Sequence, residues 1–165
     1  PTLVRAYRAL LGRRPDTPDL VLAGSVPPGA QRTLGPIDTA PLAGKLRILG
    51  YVGPATRRAL YAGASMLVMP SLDEGFGMPV LEAMTAGVPV IASTRGALPD
   101  LVGDVGLLVE PEDEAALAAA MTRMLDDRSF VDGAITRGLA RARHYDWRAP
   151  ARTLLRAYAD VLHER

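Results

Sequence analysis

The chain has 165 residues, 19 lysines plus arginines against 18 aspartates plus glutamates, and no cysteine. That length suits one domain around a single core, and the near-neutral charge argues against a polyanionic partner such as nucleic acid. The absent cysteine excludes disulfides and thiolate metal sites and fits a reducing compartment. No apolar run is long enough to span a bilayer.

The first element reads as a helix. Leu3, Tyr7, Leu10 and Leu11 share one face, Thr2 is placed to cap the start, and Gly12 and Pro15 end it. Strands are expected at 19–24, 46–52, 65–70, 89–94 and 106–110, with a helix around 55–62 and a short helix after Pro79 between them. The stretch 25–44, with Pro27, Pro28, Pro36 and Pro41, reads as mostly loop with room for one weak helix. Glu112, Asp113 and Glu114 open a further helix and complement its dipole. Leu117, Met121, Met124 and Leu125 give that helix its core face. A last helix over about 148–162 carries Leu154, Tyr158, Val161 and Leu162 on one side. Short apolar runs alternating with helical periods specify an α/β fold.

The most informative segment is Glu74-Gly75-Phe76-Gly77-Met78-Pro79-Val80-Leu81-Glu82. It follows the apolar run Met66–Pro70 and leads into the short helix that Gly87 stops. A strand, a glycine turn and a helix start form an anion site, because backbone N–H groups and the positive helix end converge there. Two carboxylates beside such a site must face something other than phosphate. Hydroxyl groups fit, and a nucleotide sugar carries both phosphate and hydroxyls. Glu82 falls in the first turn or so of the helix, where an acid alone is commonly a dipole partner. With Glu74, Gly75 and Gly77 at the same turn, the ligand reading is the better one. Tyr51 and Val52 end a strand at the same sheet edge, where ligands bind in open α/β sheets. Ser25 and Ser71 are weaker candidates.

This segment, with Gly87-Val88-Pro89-Val90-Ile91-Ala92-Ser93, Gly96–Val102, Gly106–Val109 and Tyr145-Asp146-Trp147, resembles the donor-binding, C-terminal half of retaining GT-B glycosyltransferases, most closely glycosyltransferase family 4. The resemblance implies a Rossmann-like parallel sheet with helices on both faces. It implies a nucleoside-diphosphate sugar as donor substrate, with no further cofactor and no metal. Glu74 would contact the donor sugar and act in catalysis. Glu82 would bind the ribose hydroxyls, and the backbone of Gly75, Phe76, Gly77 and Met78 would meet the sugar and the distal phosphate. Tyr51 and Val52 would meet the base. Phe76 serves equally well as simple packing, and Tyr51 as an ordinary rim aromatic.

In the resembled family this half opens with a strand and then a loop carrying an arginine and a lysine for the pyrophosphate. Here a helix begins at about the second residue. The expectation is a nucleotide-sugar-binding domain over 1–165 that lacks its first strand, the central one of a 3-2-1-4-5-6 sheet. Its partner would be an N-terminal GT-B half, and the chain alone would be inactive. The expected location is cytoplasmic, with a peripheral place at the inner membrane face left open. Arg148, Arg152 and Arg156, with Arg137 and Arg141 upstream, read as a solvated face. His144 and His163 have no carboxylate spacing that suggests a metal. Two rival functions are a non-catalytic nucleotide-sugar-binding module and an NAD(P)-binding domain that reads a phosphate through Arg95.

Overall fold

A computed structural model describes residues 1–25, 42 and 44–163. In chain order its elements are α1 (Thr2–Arg13), β1 (Leu20–Ala23), β2 (Leu46–Gly50), α2 (Pro54–Gly63), β3 (Leu67–Met69), α3 (Met78–Thr85), β4 (Val90–Ser93), α4 (Leu98–Val102), β5 (Leu107–Val109), α5 (Glu114–Asp126), α6 (Arg128–Ala142) and α7 (Arg148–His163). The five expected strands are all present, each a little shorter than its apolar run. The expected loop at 25–44 falls almost wholly outside the described residues.

Every strand pairing is parallel, and the strands form two sheets, β1–β2 and β3–β4–β5. All four residues of β4 are buried. Strand side chains alternate between faces, so Ile91 joins Val4, Tyr7, Leu10, Leu117 and Met121 in one core cluster. Its neighbours Val90 and Ala92 join Val80, Met84, Leu98 and Val102 in the other. Helices therefore cover both faces of the β3–β5 sheet, α1 and α5 on one and α3 and α4 on the other.

β1 is not hydrogen-bonded to β3. Between them lies a cavity of about 890 Å³, lined by Leu20, Val21 and Leu22 on one side and by Leu67 and Val68 on the other. A further central strand, expected from the resemblance, would lie in this gap. α1 roofs the region. Its Arg5 pairs with Glu114 of α5 at 2.9 Å, and Arg14 pairs with Asp126. The buried Tyr7 donates its hydroxyl to Pro18 O at 2.8 Å, which fixes the entry to β1.

Several local expectations need correction. Thr2 is the first helical residue rather than the cap. Pro1 stands at the cap position, no side chain caps the helix, and Gly12 lies inside it. At α5 the acid that caps is Asp113, whose side chain accepts from Ala116 N at 2.8 Å. Two helices went unread in the sequence. α4 is only five residues long, and α6 buries only Ala134 and Gly138, too few for an apolar period to show. The apolar side of α7, with Leu154, Tyr158, Val161 and Leu162, is exposed. Arg141 is not a solvated cation. Its Nε donates to Leu101 O at 2.6 Å and its Nη2 to Asp100 O, carbonyls near the end of α4.

Candidate functional site

The Glu74–Glu82 segment leaves β3 and enters α3. Gly77 occupies the N-cap position with φ +94° and ψ +40°, a left-handed conformation that favours glycine. A Cβ there would also press at 2.8 Å on methyl carbons of Leu98 and Leu101, which would have to shift. Pro79 follows at the second helical position, where its missing N–H costs nothing. The apolar residues Val80, Leu81 and Met84 anchor the helix below the turn.

Glu74 turns back on its own loop. Its Oε1 accepts from Gly77 N at 3.2 Å, and its carbonyl accepts from Ala97 N at 2.9 Å. The loop after β4 thus supports the turn from behind. Its Gly96, with φ +59°, leaves no room for a side chain against the Glu74 backbone. Gly96 is a supporting residue whose part the sequence did not disclose.

Glu82 is the fifth residue of α3, and no acid lies in the first turn. That position weakens the dipole reading of this carboxylate. Its side chain is 26% exposed and meets two donors from α2. Arg57 Nη2 reaches Oε1 at 3.1 Å, and the Tyr61 hydroxyl reaches Oε2 at 3.1 Å. The same hydroxyl lies 3.2 Å from Pro79 O. Burial first, then the charge and hydrogen bond of Glu82, push the Tyr61 phenol up to about 12. It therefore stays protonated and serves as a donor. Neither Arg57 nor Tyr61 stood out in the sequence, because each lies more than 20 residues from Glu82 in the chain.

Glu82, Met78, Tyr51 and Val52 line the same cavity, together with Gly24 at the end of β1. Tyr51 is 78% exposed, as a rim aromatic would be. Glu74, Gly75, Phe76 and Gly77 are not among the lining residues and stand apart on the turn itself. Phe76 is 42% exposed and meets Tyr145 edge to face, ring centres 5.9 Å apart. Ser71 is half-buried and Ser25 exposed. Arg95, the cation of the NAD(P) reading, pairs with Glu110 at 2.8 Å. Among the described residues, no group of three or more histidines, aspartates and glutamates is placed to hold a metal. No described helix is long and apolar enough to cross a membrane.

Residues 1–127 match the family described as Glycosyl transferases group 1. The chain belongs to that family. Among related glycosyltransferases, the O-antigen chain mannosyltransferase B of Escherichia coli is 44% identical over 115 residues, which cover 70% of this chain and 30% of that protein. Among solved structures, the sucrose-phosphate synthase of Thermosynechococcus elongatus aligns with a TM-score of 0.82 at 29% identity, over 98% of this chain and 43% of its own. The C-terminal domain of the glycosyl transferase group 1 family protein LpcC from Francisella tularensis aligns with a TM-score of 0.72 at 24% identity, over 87% of this chain and 77% of that one. The last likeness concerns the fold alone. This group 1 chain has the α/β architecture of GT-B glycosyltransferase C-terminal domains, and it spans less than half the length of the mannosyltransferase and the synthase.

Proposed function

We propose that the chain is the donor-binding half of a retaining glycosyltransferase of family 4, one that moves a hexose from a nucleoside-diphosphate sugar to an acceptor hydroxyl. One observation carries the reading. Two carboxylates, Glu74 and Glu82, flank a glycine turn at the N-terminus of α3, and Glu82 faces a cavity that Tyr51 and Val52 also line. The helix start receives the phosphates, Glu82 binds the ribose hydroxyls, and Glu74 meets the transferred sugar. The backbone at Gly75, Phe76, Gly77 and Met78 contacts the sugar and the distal phosphate, and Tyr51 and Val52 frame the base. No metal enters this reading.

The acceptor site and the basic pair for the pyrophosphate belong, in this reading, to polypeptide outside the 165 residues. So does the strand that fills the cavity between β1 and β3. The segment by itself then shows no transfer. The cytoplasm, or the membrane surface facing it, is where such donors are met.

Calorimetry with UDP and GDP on the full-length protein tests the proposal. Replacing Glu82 by alanine removes a charge-assisted hydrogen bond and should weaken nucleotide binding by about 1.5–3 kcal/mol. Equal affinity of the wild type and Glu82→Ala for both nucleotides would remove the ribose role.

A further inference from the structure

Glu82 is held on both oxygens by one face of one helix. Arg57 and Tyr61 stand four residues apart on α2, so their side chains lie together. Arg57 meets Oε1 and Tyr61 meets Oε2, each at 3.1 Å. α2 buries no residue fully, and Tyr61 is the side chain it packs against the α3–α4 core cluster. Arg57 therefore serves Glu82 alone, while Tyr61 meets Glu82 with its hydroxyl and the core with its ring. All three residues sit on the wall between the large cavity and a second one of about 590 Å³ lined by Tyr145 and Trp147.

A carboxylate offers about four lone-pair directions, two on each oxygen. Arg57 and Tyr61 take one on each. We propose that Arg57 and Tyr61 are positioning residues that clamp the Glu82 carboxylate, so that the free direction on each oxygen meets one hydroxyl of a vicinal diol. The inference rests on the nucleotide-sugar reading and deepens it, because it makes ribose recognition depend on α2 as well as on Glu82. The tyrosine hydroxyl, shared with Pro79 O, ties the carboxylate to the first turn of α3, where the phosphates would lie.

Calorimetry on the full-length protein with UDP, GDP and their 2′-deoxy forms separates positioning from folding. The wild type should prefer the ribose form, and Glu82→Ala should lose that preference. Tyr61→Phe and Arg57→Ala should each lower affinity for the ribose form by roughly three- to tenfold while leaving the 2′-deoxy form nearly unchanged. Arg57→Lys should recover part of the loss. A role in stability alone would lower both forms together and keep their ratio, and that result overturns the clamp even if the melting temperature falls. Arg57 is half-exposed, so its variant keeps the test open if Tyr61→Phe folds poorly. A wild type that binds neither nucleotide, or binds ribose and deoxyribose forms equally, removes the ribose role of Glu82 and the clamp with it. A preference that vanishes in Glu82→Ala yet persists in Tyr61→Phe and Arg57→Ala overturns the clamp alone.

Discussion

A Cβ on Gly96 would lie 2.4 Å from the carbonyl oxygen of Glu74 and 2.7 Å from its backbone nitrogen. The two loops at the carboxyl ends of β3 and β4 are thus locked together through glycine, and the acid assigned to the transferred sugar takes its place from that contact.

Gly96→Ala should therefore displace Glu74. The clash is with backbone, which no rotamer change relieves, and the left-handed φ adds strain of order 1–3 kcal/mol. We expect a lower melting temperature, and turnover of the full-length enzyme reduced more than its nucleotide affinity. Unchanged turnover alongside a lowered melting temperature would show that Glu74 does not depend on this support.

Glu74→Ala should lower turnover while nucleoside-diphosphate binding stays nearly intact. The carboxylate contacts Gly77 N and stands apart from the cavity wall to which Glu82 contributes. Paired measurements of kcat and of UDP and GDP affinity decide it. A large loss of nucleotide affinity would move Glu74 from the sugar to the phosphates.

Tyr61 should ionise late. Burial and Glu82 raise its pKa to about 12, against about 10 for an unfolded tyrosine. A raised folded pKa means that the neutral phenol contributes its full stability below about pH 10 and loses it as pH climbs toward 12. Ultraviolet titration of phenolate should show a late transition that Tyr61→Phe removes and Glu82→Gln moves down. Ionisation of Tyr61 near the ordinary phenol value of about 10 would contradict the hydrogen bond to Glu82.

Hydrogen exchange should rank the strands. β4 is paired on both sides, while β1 and β3 are each paired on one. In the 165-residue chain, amides of β1 and β3 that face the cavity should exchange well before those of β4. Protection of β1 and β3 equal to that of β4 would mean that the gap closes in solution.

Much of this was legible in the residues. The five strands announce themselves as short apolar runs, although only β4 is buried throughout and Ile48 and Leu49 of β2 are exposed. The glycine turn and its two acids stand out because few other tasks need that combination. The resemblance led to the expectation of a further strand between β1 and β3, and a cavity lies between those two strands. What stayed hidden depends on tertiary contact. Arg57 reads as an ordinary helix cation until α2 lies beside Glu82. Arg141 reads as a surface charge until α6 brings it to the end of α4. Gly96 reads as a loop breaker until the β3 loop lies on top of it. α6 left almost no period because its buried positions are Ala134 and Gly138, with Gly138 packed on Met84.

Lys45, the chain's single lysine, stands at the entrance to β2. Its ammonium donates to Thr17 O at 2.9 Å and lies 3.6 Å from Asp19. Its carbonyl accepts from Leu20 N at 2.8 Å, the first rung joining β1 to β2. A lysine-specific protease therefore has one bond to cut in these 165 residues, and that bond lies at this rung, so cutting it should require the rung to open. The cleavage rate becomes a one-site clock for the opening of the β1–β2 pair, read as two fragments on a gel. Anything that fills the neighbouring cavity should slow that clock.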